Sequence, residues 1–337
     1  MQLPPLQVTR AVVQRYCRLL HRYGDDLGFR PLVLPNAQFF PDAFLGDLES
    51  VQTLVARMSA HAGLNDIPVT VELVDVDRAH ANPSSCSSQS CGVPQTAAGL
   101  DRLVDLGESW LLRVSTAELR HPVALTTNLA RSLAFVFMVE TQREGELLEP
   151  PVDVTADLVA VALGFGPLML QGSYIYAKSC GGPQIARVTK VGVSELAVVT
   201  SLFALLGDHS LARALRELDV TQRTLLSEAH DLLRSNPALI ARIRRSPKEV
   251  STSDFDIKPT RSFMARLFLR GSKKSRTSSG IRIDAITADM DLDEVESLLI
   301  DMPPSSRAGR ALSSPPPHSK NDELKALVSE SLNEVSV

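Results

Sequence analysis

The sequence predicts an α+β protein that is predominantly helical, with a small sheet packed on a helical core and a disordered C-terminal tail. Three observations support this fold class. Helical spacing of apolar residues dominates up to residue 245, two short segments alternate in the manner of strands, and the composition changes abruptly near residue 248. With 337 residues, 44% of them hydrophobic, the chain is long enough for one or two domains.

In the first part of the chain the predicted elements alternate between helix and strand. Apolar residues at 6–22 and 47–62 share one helical face, and Gly63 is placed to end the second helix. The predicted elements are a helix at 6–22, an extended run at 30–35, a helix at 47–62, and strands at 69–76 and 108–115 on either side of a loop at 77–107.

After Pro122 the pattern is helical as far as residue 245. Two apolar segments predict two buried helices, and four shorter helices follow a glycine-containing loop. Asp219 and Asn236 stand where two of these helices would have their N-caps. The predicted elements are helices at 125–142 and 152–163, a loop at 171–183, a short strand at 185–191, and helices at 193–207, 209–217, 220–234 and 237–245.

The predicted organisation has three parts: an α+β core domain at 1–190, a helical subdomain packed on it at 191–248, and a disordered tail at 249–337. Residues 258–282 include eight basic and no acidic residues, whereas 284–301 include seven acidic and no basic residues. A Pro/Ser-rich stretch follows. Such segments bury too little apolar surface to offset chain entropy, which is why we predict disorder.

Three short amphipathic islands interrupt the tail and are the candidate partner-binding segments. Islands of this kind dock into hydrophobic grooves of other proteins, although a solvated tail that binds nothing is the alternative. The basic island could contact anionic lipid or nucleic acid, but we favour the neighbouring acidic block or a protein. The candidate residues are Phe263, Leu267 and Phe268; Leu292, Val295, Leu298 and Leu299; and Leu324, Leu327 and Leu332.

The most informative stretch is LTTNLARSLAFVFMVE followed by VDVTADLVAVALGFG, within residues 125–166. It resembles poorly characterised bacterial proteins with a zinc-peptidase-like domain. In those proteins one helix holds a His-Glu-x-x-His motif, and the next supplies an acidic ligand in a segment like TDLxAVxLGFG. The upstream run PLVLPNAQFFPDAFLGDLESVQTLVARM also looks like those proteins, so the resemblance covers residues 30–180. It implies a degenerate zinc-peptidase-like core.

Every chemical position of that motif is substituted in this chain. The motif helix puts the first His at Thr127, the Glu at Asn128 and the second His at Arg131, and the acidic ligand falls on Asp153 or Asp157. An amide is not a general base, and a guanidinium repels a divalent cation. The resemblance therefore implies a lost metal site, and we predict an ion pair between Arg131 and one carboxylate in its place. Asp157 could also be an ordinary helix-capping or buried-pair acid.

Other catalytic arrangements find little support in the sequence. No two of the seven histidines are four residues apart, no serine has a G-x-S-x-G context, and there is no P-loop. Cys86, Cys91 and Cys180 could together hold zinc or an iron–sulfur cluster, or two of them could form a redox pair. Free thiols in a flexible loop are the simpler interpretation.

These observations favour a non-catalytic interaction or regulatory protein, a pseudoenzyme built on a metallopeptidase-like scaffold, whose tail recruits protein partners. No cofactor is expected. The alternative is a metal- or thiol-dependent enzyme that uses the cysteine loop or the carboxylates Asp153 and Asp157. A net charge of −4 gives no reason to expect nucleic-acid binding. Without a signal-peptide pattern or a run of about 20 apolar residues, we predict a cytoplasmic protein with no transmembrane segment.

Overall fold

The computed structural model describes residues 2–75, 100–142, 147–179 and 182–259. Within these ranges the protein is mostly helical and carries a small mixed sheet, so the predicted α+β class is confirmed at this level. The tail with its three islands lies outside the described residues. The same holds for three cysteines, namely Cys86, Cys91 and Cys180.

The helices and strands of the described residues follow one another in this order: α1 (Leu6–Leu27), α2 (Leu48–Ala62), β1 (Val69–Val74), β2 (Leu103–Asp105), β3 (Trp110–Ser115), α3 (Pro122–Glu140), α4 (Val152–Ala160), α5 (Gly166–Ser173), β4 (Ile175–Ser179), β5 (Gly182–Ala186), α6 (Val193–Leu206), α7 (Leu211–Glu217), α8 (Val220–Arg234), α9 (Pro237–Arg245) and α10 (Pro247–Thr252). A π-helical turn, Val161–Phe165, joins α4 to α5.

The sheet has the order β1-β3-β2, with β1 parallel and β2 antiparallel to β3. The two predicted strands are both present. The prediction missed β2 and β4, which fall inside the predicted loops 77–107 and 171–183. With three residues, β2 is too short to show an alternating apolar pattern. The strand β4 pairs only with β5, in a two-stranded hairpin separate from the larger sheet.

The core is one hydrophobic cluster that runs from Val13 on α1 to Ile257 beyond α10. At its centre lies α6, which contacts α1, α5 and α8. This helix is apolar around most of its circumference, as expected of a helix with neighbours on several sides. Residues on both sides of the predicted boundary at 190 and 191 therefore contribute to the same core.

The packed part of the chain continues beyond the predicted boundary at residue 248. The segment 249–257 lies against α1, and three of its apolar side chains are buried: Val250, Phe255 and Ile257. Arg10 on α1 pairs with Asp254 at 2.6 Å and with Asp256 at 3.2 Å. These contacts extend the folded part at least to residue 257, because both apolar burial and ion pairs fasten the segment to the first helix.

The two predicted N-cap residues occupy the N-cap positions but form no side-chain cap hydrogen bond. The Asn236 side chain instead donates to the Lys258 carbonyl at 3.1 Å and accepts the Lys258 N–H at 2.9 Å. It therefore holds the segment after α10, a tertiary contact that outweighs the local capping preference of Asn236. At the other position, the main-chain carbonyl of Asp219 accepts the N–H of Arg223, but the Asp219 side chain does not cap the helix.

Gly164 allows the extended segment 31–34 to cross the turn between α4 and α5. Its φ of +97° lies in the left-handed region, and a Cβ atom at this position would collide with the Pro31 carbonyl oxygen. The Val33 N–H donates to the Gly164 carbonyl at 2.9 Å. The sequence runs PLVLP and LGFG are therefore in backbone contact, which is why a glycine is needed between two apolar helices.

Two helical stretches are long and apolar enough to cross a membrane, Pro122–Glu140 and Val152–Ser173. Buried core helices of soluble proteins have the same length and composition, and in an 18-residue window of each stretch 72% and 83% is buried inside the molecule. We expected no stretch of that length from the sequence. Length and composition are weak evidence for a membrane segment here, because most of each helix is buried in the core.

Replacement of Gly164 by alanine should lower the free energy of unfolding by about 2–5 kcal/mol, since the new methyl group meets backbone and the φ value is unfavourable. Chemical denaturation of the full chain measures this change. The matched control is Gly24→Ala within α1, where a Cβ meets nothing within 4 Å. That variant should be neutral or up to about 1 kcal/mol more stable. Equal loss in both variants would contradict the close contact at Gly164.

Candidate functional site

The degenerate motif positions lie on two neighbouring core helices. Thr127, Asn128 and Arg131 are on α3 and are 0%, 2% and 3% exposed. Asp153 and Asp157 are on α4, which packs against α3. Because residues four apart on a helix share a face, Thr127 and Arg131 both point into the core. Four of the five positions are therefore buried, and Asp153 is partly exposed.

Arg131 is bound by both carboxylates. Its Nε donates to Asp157 Oδ1 at 2.5 Å, and its Nη2 donates to Asp153 Oδ1 at 2.9 Å. The side chains of Arg131 and Asp157 are 4% and 0% exposed, whereas that of Asp153 is 37% exposed. The ion pair that we predicted between Arg131 and one carboxylate is thus confirmed, and it involves two. One guanidinium with two carboxylates leaves the cluster with a net negative charge when both acids are ionised.

Asp157 also binds the main chain before α6. Its Oδ2 accepts the N–H groups of Lys190 and Val191 at 2.6 and 2.8 Å. Burial raises the pKa of Asp157, and the Arg131 charge and these N–H donors act in the opposite direction. Three short donor contacts on a carboxylate favour its ionised form, so we expect Asp157 to be charged at neutral pH. The acid therefore connects α3, α4 and the segment that enters α6.

The first motif position is closed by α5. Thr127 Oγ1 lies 2.7 Å from the Val123 carbonyl oxygen and 3.1 Å from the Leu168 carbonyl oxygen. On the same side, Gly172 is so close that a Cβ atom on it would collide with the Thr127 side chain. An imidazole at residue 127 would need far more room than the threonine leaves. The geometry thus offers no space for a metal ligand at this position.

The donor set does not fit a divalent cation. Among the described residues no three His, Cys, Asp or Glu side chains come together as a metal-binding group. A guanidinium occupies the position between Asp153 and Asp157 and uses carboxylate oxygens that a cation would need. The side chains of Thr127, Asn128, Arg131 and Asp157 are buried, and none of them lines the cavity beside the N-terminal end of α3 or the cavity between α1 and α4. Their burial leaves no room for a substrate to reach them.

Three arginines on α1, which no sequence motif marks, contact α4 and the chain that leads into it. Arg15 donates to Thr155 Oγ1 at 3.0 Å, and Arg18 pairs with Glu149 at 3.2 Å. Arg22 donates to the Leu147 carbonyl at 3.1 Å. The spacing of these arginines, three and then four residues apart, was the available signal for a shared helix face. The three arginines position α4, and therefore both acids, relative to the N-terminal helix.

An apolar cavity of about 310 Å³ lies beside the N-terminal end of α3. Arg57 and Asp42 form a bidentate ion pair among the residues that line it, with distances of 2.9–3.1 Å. Next to it Leu45 is 79% exposed. Apolar side chains from four segments supply most of the lining: Phe40, Phe44, Leu54, Leu125 and Leu168. The walls of this cavity are far apart along the chain, so no local sequence pattern marks it.

Replacement of Arg131 by methionine should lower the free energy of unfolding by about 3–5 kcal/mol, because Asp157 would remain as a buried charge without its cation. The combined variant Arg131→Met with Asp157→Asn should lose less than the sum of the two single variants, which a double-mutant cycle in denaturant measures. Arg18→Met is the control, since its partner contact is exposed, and it should cost at most about 1 kcal/mol. Additive losses would show that the buried pair is not coupled.

Comparison with known proteins found no relative of this chain. No family model, no curated protein and no solved structure matches the chain. The resemblance to zinc-peptidase-like proteins therefore rests on the residues quoted above.

Proposed function

We propose that this chain is a cytoplasmic, non-catalytic interaction or regulatory protein of the pseudo-metallopeptidase kind, whose tail segments recruit protein partners. In this proposal the metal of an ancestral hydrolase has been replaced by the Arg131 cluster. The observation that supports it most directly is the buried contact of Arg131 with Asp153 and Asp157. The guanidinium stands at the second ligand position and already satisfies the acids that a metal would use.

The chemistry of the substituted positions supports the same conclusion. Metal-dependent peptide hydrolysis needs a cation to polarise the carbonyl and a base to activate water. Asn128 supplies an amide at the position of the base, and an amide does not accept a proton at neutral pH. Thr127 is hydrogen-bonded within the protein and is inaccessible. The residues that would perform each step are absent from the positions that the motif assigns to them.

Retention of a charged cluster without catalysis has a physical reason. Removing one partner of a buried ion pair costs far more than the intact pair contributes, so such a cluster is difficult to lose once it is formed. Asp157 additionally accepts two main-chain N–H groups, and a neutral apolar side chain would leave these donors unsatisfied. The cluster would thus persist as a structural element of a scaffold that presents binding segments to partners.

Purified full-length protein should contain far less than one zinc per chain and should show no peptide hydrolysis that EDTA abolishes. The reason is that the donor set around Arg131 excludes a dication. Elemental analysis of protein purified without chelator, together with a mixed-peptide cleavage assay, provides the measurement. Stoichiometric zinc accompanied by EDTA-sensitive cleavage would overturn the proposal. Zinc that disappears when Cys86, Cys91 and Cys180 are replaced by serine would instead favour the alternative cysteine-dependent site.

Substitutions in the tail islands should abolish partner recruitment without changing the fold. In the full chain, Leu298→Asp with Leu299→Asp places two charges on the apolar face of one island and should reduce partner enrichment by at least about tenfold. Ser305→Asp with Ser306→Asp adds the same charge nearby without removing apolar side chains and serves as the control. Quantitative affinity purification from cells compares the two. If variants of all three islands recover the same proteins as the wild type, tail recruitment is wrong.

A further inference from the structure

A second cavity, of about 450 Å³, opens between the chain that follows α1 and the turn that follows α6. It shares no lining residue with the Arg131 cluster or with the cavity beside α3. Apolar and aromatic side chains form most of it, and a few polar groups lie at its edge. The residues that matter for its chemistry are Phe29, Leu34, Phe39, His209 and Arg213.

A group of three aromatic rings, one of them with an open face, borders this cavity. Phe29 is 76% exposed, and its ring centroid lies 5.3 Å from that of His209, with an angle of 43° between the two rings. On its other side His209 stacks on Phe203, with centroids 5.2 Å apart and an angle of 18° between the rings. An open aromatic face is a surface on which another flat ring can pack.

The turn after α6 fixes the position of the His209 ring. Asp208 has a φ of 54°, and the His209 N–H donates to the Ala204 carbonyl at 2.8 Å, which is the hydrogen bond of a Schellman helix end. Arg244 on α9 donates to Asp208 Oδ1 at 2.6 Å and so connects the turn to α9. A Cβ atom on Gly207 would lie 2.6 Å from His209 Nε2, so this glycine leaves the space that the ring occupies. The His209 ring is therefore held in place without a ligand.

The charge at the cavity is positive. Arg213 on α7 is the one formally charged side chain among its described lining residues. Its Nη1 donates to Gln38 Oε1 at 3.2 Å, and no carboxylate of the described ranges forms a salt bridge with it. Burial lowers the pKa of His209, which keeps its ring neutral and suited to stacking near neutral pH. An exposed guanidinium with a neutral hydrogen-bond partner is free to bind an anion in addition.

We propose that this cavity binds a small planar aromatic molecule that carries an anionic group, with the ring against Phe29 and the anion on Arg213. The volume lies in the range of sites for small ligands, and an apolar wall with a few polar groups is their usual composition. A purely apolar ligand would not use the guanidinium. A carboxylate and a phosphate share the required chemistry, so an aromatic acid and a nucleoside monophosphate are the two sources to distinguish.

Calorimetric titration of the full-length protein with 2-naphthoate, with adenosine monophosphate and with 2-naphthylmethanol tests the proposal. Naphthylmethanol has the ring without the charge, and we expect at least one anion to bind about tenfold or more tightly than it does. Tighter binding of the monophosphate would assign a nucleotide, and tighter binding of naphthoate would assign an aromatic acid. No saturable binding of either anion, or equal binding of the uncharged alcohol, would overturn the proposal.

Variants then locate the bound anion. Arg213→Gln should weaken its binding by about tenfold or more, whereas Arg216→Gln, an exposed arginine on the same helix, should leave binding unchanged. Phe29→Ala should weaken binding about three- to tenfold, and Leu45→Ala removes an exposed apolar side chain elsewhere as its control. The replaced side chains are exposed, so circular dichroism should show folded protein. Equal affinity of the two arginine variants would place the ligand elsewhere.

Discussion

The fold depends on a carboxylate that has no contact with water. Asp157 receives a guanidinium from α3 and two main-chain N–H groups from the segment that enters α6, while its own helix supplies the position. Around it, close backbone contacts such as that of Gly164 with Pro31 restrict how far the helices can shift relative to one another. A buried charge can exist only where its neighbours satisfy every oxygen. The helical core is therefore arranged around one electrostatic requirement as well as around apolar packing.

Much of this arrangement could be predicted from the sequence because it is local. Helical spacing gave the helices of the core, and the alternation at 69–76 and 108–115 gave the two longer strands. The pairing of Arg131 with a neighbouring acid was also predictable, since charged residues inside apolar helices need a partner. The short strand β2 and the hairpin strand β4 were not, because three residues or an isolated pair carry too little pattern. At Asn236 the local sequence was misleading for another reason: a tertiary contact with Lys258 takes the place of the side-chain cap that an Asn at this position favours.

The parts of the molecule that could bind something were harder to predict. The cavity with Phe29 and Arg213 joins residues that are more than 180 positions apart, and the cavity beside α3 combines four separate segments. No short motif marks such places, because their chemistry arises from how helices are packed. The residues of α3 at the positions that the resemblance assigns to a metal motif could, by contrast, be examined one by one. They include neither an imidazole nor a carboxylate base.

The contact of Arg10 with Asp254 and Asp256 closes a loop of 244 and 246 residues. During synthesis α1 leaves the ribosome long before the segment that covers it has been made. A nascent chain must therefore keep part of an amphipathic helix uncovered for most of its translation, at a stage when exposed apolar surface favours aggregation. The contacts of α1 with the segment 249–257 can form only after nearly all of the other residues of the folded core have been synthesised.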